Sequence, residues 1–131
     1  MTHRHHHVAC ALIEKAGLLL AAQRSATMTL PLKWEFPGGK IAAGESPEEC
    51  LHRELREEMA ISVEIGRELL PRTHHYPDFT VTLYPFVCQL TTAVIELREH
   101  EAICWLAPAE LLSLDWAAAD LPVIADYSEK G

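Results

Sequence analysis

The sequence predicts an α/β protein, an α/β/α sandwich built around a mixed β-sheet. Runs of strand length, either apolar or alternating, are interspersed with helices, and one of these closes the chain. At 131 residues the chain is expected to form one domain over 1–131, large enough for a single core without disulfide or metal staples. Hydrophobic content of 49% with near-zero mean hydropathy fits a soluble globular protein. A net charge of −8 argues against tight binding to a nucleic-acid polymer, because no basic surface is available to displace counterions. It leaves room for a small phosphorylated ligand whose charge is met by bound cations. Cys10, Cys50, Cys88 and Cys104 are scattered without a C-x-x-C pair, which points to a reducing, cytoplasmic setting. No signal-peptide core and no membrane-length apolar run is present, so no membrane partner is expected.

The elements follow in order. Residues 1–6 are expected to be a disordered end. The cluster of His3, His5, His6 and His7 reads as a frayed terminus or cloning remnant rather than a transition-metal site. Apolar runs at 8–14 and 18–24, split by Lys15-Ala16-Gly17, predict a hairpin. Residues 27–33 read as a loop containing Pro31, leading to a short extended Trp34-Glu35-Phe36-Pro37. Ser46-Pro47-Glu48-Glu49 is a helix start: Ser as N-cap, Pro in the first turn and Glu closing a capping box. Residues 63–72 predict a strand. Residues 79–90 predict another, because Phe79, Val81 and Leu83 alternate with Thr80, Thr82 and Tyr84, and Pro85 marks a bulge or edge. Residues 74–78 would form the tip between them. Residues 93–97 and 101–106 look extended, 108–114 reads as a short helix, and Asp120-Leu121-Pro122 opens a last helix towards Ser128.

The helix after Ser46 carries the chemistry. Leu51, Leu55 and Met59 recur every four residues as an apolar stripe, and Glu54, Glu57 and Glu58 share one edge beside it. Carboxylates so placed raise one another's pKa unless cations neutralise them. An all-oxygen cluster suits a hard divalent ion such as Mg²⁺, with Mn²⁺ able to substitute. A solvated acidic face is the plain alternative. Against it stands the spacing of Gly39, Glu45, Arg53, Glu54, Glu57 and Glu58 in G-x5-E-x7-R-E-U-x-E-E-x-G-U, where U is Leu55 or Ile61. At ordinary residue abundance those six matches arise by chance on the order of 10⁻⁷ per starting position.

This spacing is that of the Nudix box, and the chain resembles a Nudix hydrolase. One box position departs: Ala60 stands where the family has its second glycine. If that residue must be left-handed, alanine there costs roughly 1–2 kcal/mol, with altered loop geometry or stability rather than lost chemistry. The run from Trp34 to Ile41, W-E-F-P-G-G-K-I, narrows the likeness to MutT-type nucleoside triphosphate pyrophosphohydrolases, as do Arg24 and the late Glu99-to-Leu106 segment. The resemblance implies the Nudix fold and Mg²⁺-dependent hydrolysis of a (deoxy)nucleoside triphosphate to monophosphate and pyrophosphate. It implies that Glu54, Glu57 and Glu58 hold metal with the Gly39 carbonyl, Glu57 being first choice as essential ligand. Glu99 is a further ligand or the base, with Glu101 the runner-up. Arg53 and Glu45 would orient Glu57 and tie the loop to the helix. Arg24 and Lys40 are implied substrate contacts.

Base identity is open at this stage. Trp34 is read evenly as core or as a wall for the base. Asp120 is either an N-cap for the last helix or an acceptor for a base amino group, with Glu35 a second acceptor. Phe79 occupies the hairpin site where some relatives that act on oxidised guanine carry Arg. Two acids suit cytosine or guanine edges, so 8-oxo-dGTP and CTP or 5-methyl-dCTP are both expected candidates, with a role in nucleotide-pool sanitation and DNA repair. Another Nudix substrate, such as a dinucleoside polyphosphate or ADP-ribose, and a non-catalytic nucleotide sensor are the alternatives. The assembly is expected to be a monomer or homodimer.

Overall fold

The computed structural model describes residues 3–129. Strand β1 (Arg4–Lys15) turns into β2 (Leu18–Gln23) through Ala16 and Gly17, whose φ of 51° and 80° are the positive values a two-residue hairpin turn requires. β1 also lies parallel to β7 (Phe79–Leu90), in register from Arg4↔Phe79 to Glu14↔Gln89. The run at 8–13 is apolar throughout because β1 is buried on both faces. Ala9, Ala11 and Ile13 join the core beneath helix α1 (Pro47–Met59) with Leu51, Leu55 and Met59. Cys10 and Leu12 join the opposite core with Val123 and Ile124 of α2 (Leu121–Glu129). The result is the expected open mixed sheet between helices.

β1 and β2 part company beyond their hairpin, and the segment 34–40 wedges into the fork. Its first half, β3 (Trp34–Glu35), pairs with β2; its second, β4 (Gly38–Lys40), pairs with β1. Between them Ala11 N donates to Pro37 O at 2.8 Å. On its other side β2 carries β8 (Ala102–Leu106). The wedge sets everything that follows, since it brings Glu35 and Gly39 to the open end of the sheet.

Several expectations need correction. The end expected to be frayed is strand from Arg4 onward; residues 1–2 lie outside the described residues. Three of the histidines read as a frayed terminus or cloning remnant pair instead with β7: His3, His5 and His7 meet Thr80, Thr82 and Tyr84 at 2.6, 2.7 and 2.9 Å. The single strand expected over 63–72 is two, β5 (Val63–Glu68) and β6 (Arg72–His75), both antiparallel to β7. Where β7 exchanges one partner for the other it carries Pro85, whose carbonyl accepts from Leu69 N at 2.9 Å. The register slips at Ile65/Glu68, so the proline without an N–H sits beside the irregularity. Residues 93–97 are loop rather than strand, held to the end of α1 by Glu96 N to Met59 O and Arg98 N to Glu58 O. The helix expected at 108–114 is a 3₁₀ segment, Pro108–Ser113, and a 3₁₀ turn, Ala118–Asp120, precedes α2.

Candidate active site

Helix α1 is fixed in place before any acidic residue is considered. Ser46 Oγ accepts from Glu49 N at 3.1 Å while Glu49 returns a carboxylate to Ser46 N at 2.9 Å, and Pro47 fills the first turn. Burial of Cys50, Leu51, Leu55 and Met59 sets the rotation of the helix about its axis. That rotation lays Glu54 against Gly39: a Cβ at position 39 would overlap the Glu54 carboxyl group. A Cβ at Gly38 would overlap the Ala9 carbonyl, a backbone clash that requires glycine there, whereas a Cβ at Gly39 would displace the Glu54 carboxyl from its present place.

Arg53 organises the outer edge. Its Nε and Nη2 donate to the two oxygens of Glu45 at 2.7 and 2.9 Å, its Nη1 to Glu57 at 3.1 Å, and its Nη2 also to Lys40 O at 3.3 Å. The Arg53 hydrogen bonds hold Glu45 down at about 2. Glu57 sits outermost, with its side chain 59% exposed. Glu58 lies inward, and burial, followed by the charges of Glu54 and Glu99, pushes its carboxyl up to about 8. Among the described residues, its Oε1 is buried without a hydrogen-bond partner. Burial likewise raises Glu54, against the pull of Arg53. Glu99, at the end of the loop tied to α1, is the late acid whose charge both Glu54 and Glu58 feel; Glu101 is not among their neighbours in charge.

Two adjoining cavities open beside these groups. One, of about 350 Å³, is walled by Gly38, Gly39, Glu54, Glu58 and His100. The other, of about 300 Å³, is walled by His6, Tyr76, Phe79, Val81, Ala119 and their neighbours. Arg24, Glu35, Lys40 and Asp120 belong to both walls, so the cavities form one groove with an acidic end and an aromatic end. Tyr76 and Phe79 stack at 4.8 Å and 30°. Asp120 is buried: Oδ2 accepts from Phe36 N at 3.0 Å, and burial, then the Glu35 charge, lifts its carboxyl well above the usual range. Its Oδ2 is thus taken up by the wedge rather than by capping α2. Arg24 donates Nε to Thr29 O at 2.6 Å and Nη1 to Glu35 Oε1 at 2.8 Å, curling the 24–33 loop around itself. Trp34 lines neither cavity; it packs on the core and its backbone bonds to Asp115 and Ala117.

Tyr76, His6 and His100 are among the groove residues that the sequence does not single out. Tyr76 appeared only as part of a turn, His6 only as part of a terminal cluster, and His100 only as a neighbour of Glu99. Nothing in their local spacing separates them from surface residues. Tyr76 could have been suspected from its placement next to a Pro-Asp turn beside Phe79.

The NUDIX domain family profile matches residues 3–127. The chain is 33% identical over 120 residues to a CTP pyrophosphohydrolase of Escherichia coli, covering 92% of this chain and 89% of that protein. It is 35% identical over 128 residues to a putative 8-oxo-dGTP diphosphatase 2 of Mycobacterium tuberculosis, covering 92% and 86%. Among solved structures, the MutT protein of a methicillin-resistant Staphylococcus aureus superposes with a TM-score of 0.79 at 38% identity, covering 99% of this chain and all of that one. The chain therefore belongs to the Nudix hydrolase family, a family of phosphoric-anhydride hydrolases, and shares the fold of the MutT structure it superposes on. Nudix hydrolases act on small-molecule nucleotide substrates and generally need a divalent metal.

The donors present fit such an ion. Glu54 is packed onto a glycine that leaves no room for a side chain, Glu58 carries an unmet buried oxygen, and Glu99 adds a third carboxyl. All are hard oxygen donors. Among the described residues, no three His, Cys, Asp or Glu side chains stand close enough to chelate an ion as they are. Glu57 is turned to Arg53 rather than towards Glu54 and Glu58, and the burial and neighbouring charges that raise the Glu58 carboxyl are what a bound cation would offset. Among the described residues, no helix is long and apolar enough to cross a membrane.

Proposed function

We propose that the protein hydrolyses (deoxy)nucleoside triphosphates to the monophosphate and pyrophosphate, preferring 8-oxo-dGTP or CTP-type substrates, in nucleotide-pool sanitation. The observation that carries this reading is the single groove whose acidic and aromatic ends share Arg24, Glu35, Lys40 and Asp120. A nucleotide offers matching chemistry at its two ends, a polyanion for the metal-side residues and a flat heterocycle for Tyr76 and Phe79.

Mg²⁺, with Mn²⁺ as substitute, would be held by Glu54, Glu57, Glu58, Glu99 and the Gly39 carbonyl. When bound it supplies charge neutralisation at the phosphoryl oxygens and a lowered pKa for the attacking water. Arg24 and Lys40 place positive charge between the two ends, where the phosphates pass. Arg53 holds Glu57 and Glu45 in fixed rotamers, so less ordering is left to the moment of binding. Glu99, on a loop pinned to the helix end, would serve as a further ligand or as the base that accepts a proton from water, with Glu101 the runner-up. At the aromatic end Asp120 and Glu35 read the base. Guanine and cytosine each present an amino donor beside an acceptor, which a carboxyl group can meet as ion or acid.

A panel of nucleotides with Mg²⁺, assayed for pyrophosphate and orthophosphate, tests the reading. Pyrophosphate with an equal amount of monophosphate, largest for oxidised-guanine or cytosine nucleotides, is expected. Orthophosphate as product, or faster cleavage of dinucleoside polyphosphates or ADP-ribose, would overturn it.

A further inference from the structure

Glu35 is gripped from two sides. Its Oε1 accepts from Arg24 Nη1 at 2.8 Å and its Oε2 accepts from His100 Nε2 at 2.9 Å. The three side chains come from separate parts of the chain, yet one strand arranges them. β2 pairs Ala22 with Glu35, its Gln23 carbonyl accepts from Glu101 N at 2.9 Å, and Arg24 follows directly. His100 is therefore presented to Glu35 by the backbone on either side of it.

The imidazole is an expensive choice for this position. Its side chain is 1% exposed, and with Nε2 donating to Glu35 the Nδ1 atom is buried with no hydrogen-bond partner among the described residues. An apolar side chain of the same size would leave no such atom unmet. A core role alone does not account for it, whereas the contact to Glu35 and its place in the cavity wall beside Gly39 and Glu58 do.

We infer that His100 is a positioning residue for base selection: its Nε2–H fixes the Glu35 carboxylate against Arg24, so that the remaining lone pairs meet the base edge in one orientation. This deepens the proposed function and rests on its base-binding groove. Loss of His100 frees one oxygen of Glu35 to swing on Arg24, and the acceptor geometry that separates cytosine or oxidised guanine from thymine is blurred.

The test reads binding without metal or turnover. NMR titrations in EDTA compare dCMP and 8-oxo-dGMP with TMP, for the wild type, His100→Gln and His100→Asn. Gln can place an amide nitrogen where Nε2 stood; Asn is too short to reach Glu35. The wild type is expected to prefer dCMP or 8-oxo-dGMP, Gln to retain most of that preference, and Asn to lose about ten-fold of it. In a Glu35→Ala background the Asn substitution should add nothing, because its effect passes through Glu35. Equal preference in Gln and Asn variants, or a further loss on top of Glu35→Ala, overturns the positioning role while leaving the nucleotide groove intact. A wild type with no preference at all overturns the base-binding reading and this inference with it.

Discussion

Ala60→Gly should make the protein more stable, and the structure sets the size of the gain. Ala60 ends α1 with φ 56° and ψ 34°, in the left-handed region, and its N–H closes the helix onto Arg56 O at 3.1 Å. An L-residue with a Cβ pays roughly 1–2 kcal/mol there, a term glycine does not carry. Glycine returns about 0.5–1 kcal/mol of that through the greater freedom of its unfolded chain. Ala60 is only half-buried, so loss of its methyl removes little contact. The net gain is about 0.5–1 kcal/mol, or a melting temperature higher by roughly 2–4 °C for a domain of this size. Calorimetric melts of the two proteins measure it, with Gly17→Ala as the mirror-image control. Gly17 has φ 80° and a Cβ there would meet nothing within 4 Å, so that substitution isolates backbone strain and should lower the melt by a similar amount. Turnover of Ala60→Gly should stay within a few-fold of the wild type, because Ala60 lines neither cavity of the groove. An unchanged or lowered melt with glycine would show that the cap geometry stores no strain, and the argument fails.

Activity should vanish in EDTA and return with Mg²⁺ or Mn²⁺, and Glu57→Gln should cost several orders of magnitude in kcat with an unchanged melt; near wild-type turnover would exclude Glu57 as a ligand. The metal-free protein should lose stability as pH rises. Glu58 is raised in the folded state from 4.5 to about 8, so its contribution is fully present below 4.5 and is lost by about pH 8. After allowance for its partial exposure this amounts to on the order of 2 kcal/mol. Melts in EDTA from pH 5 to 8 should show the fall, and Glu58→Gln should flatten it; a slope untouched by that substitution assigns the effect elsewhere. Asp120→Ala should compress the preference among nucleotides about ten- to a hundred-fold, the cost of leaving a polar group of the base unmet in a buried pocket. A uniform loss over all nucleotides together with a lower melt would mean that Asp120 serves only to hold Phe36 N.

What the sequence determined by itself is local. The capping box and the four-residue apolar stripe lie within one helix, where spacing alone dictates geometry, whereas the left-handed φ of Ala60, a condition in the sequence, is decided by the structure. The same holds for β7, whose alternation gave its limits at 79–90, and for the β1–β2 hairpin with its Ala16-Gly17 turn. Tertiary structure decided what depends on partners distant in sequence. β1 begins at Arg4 because β7 offers eleven matching residues some 75 positions later, a pairing that no property of the histidine run announces. The loop at 93–97 is not strand because the end of α1 supplies backbone acceptors that a sheet would otherwise have to provide. The groove itself is tertiary throughout: Glu35 reaches it because β1 and β2 diverge and admit a wedge, and His100 and Tyr76 enter it from loops. Asp120 reads locally as a helix cap, yet burial beside Phe36 N gives its carboxyl a different partner and a raised pKa. Local geometry follows from covalent spacing, whereas burial and long-range pairing depend on which distant surfaces the whole chain brings together.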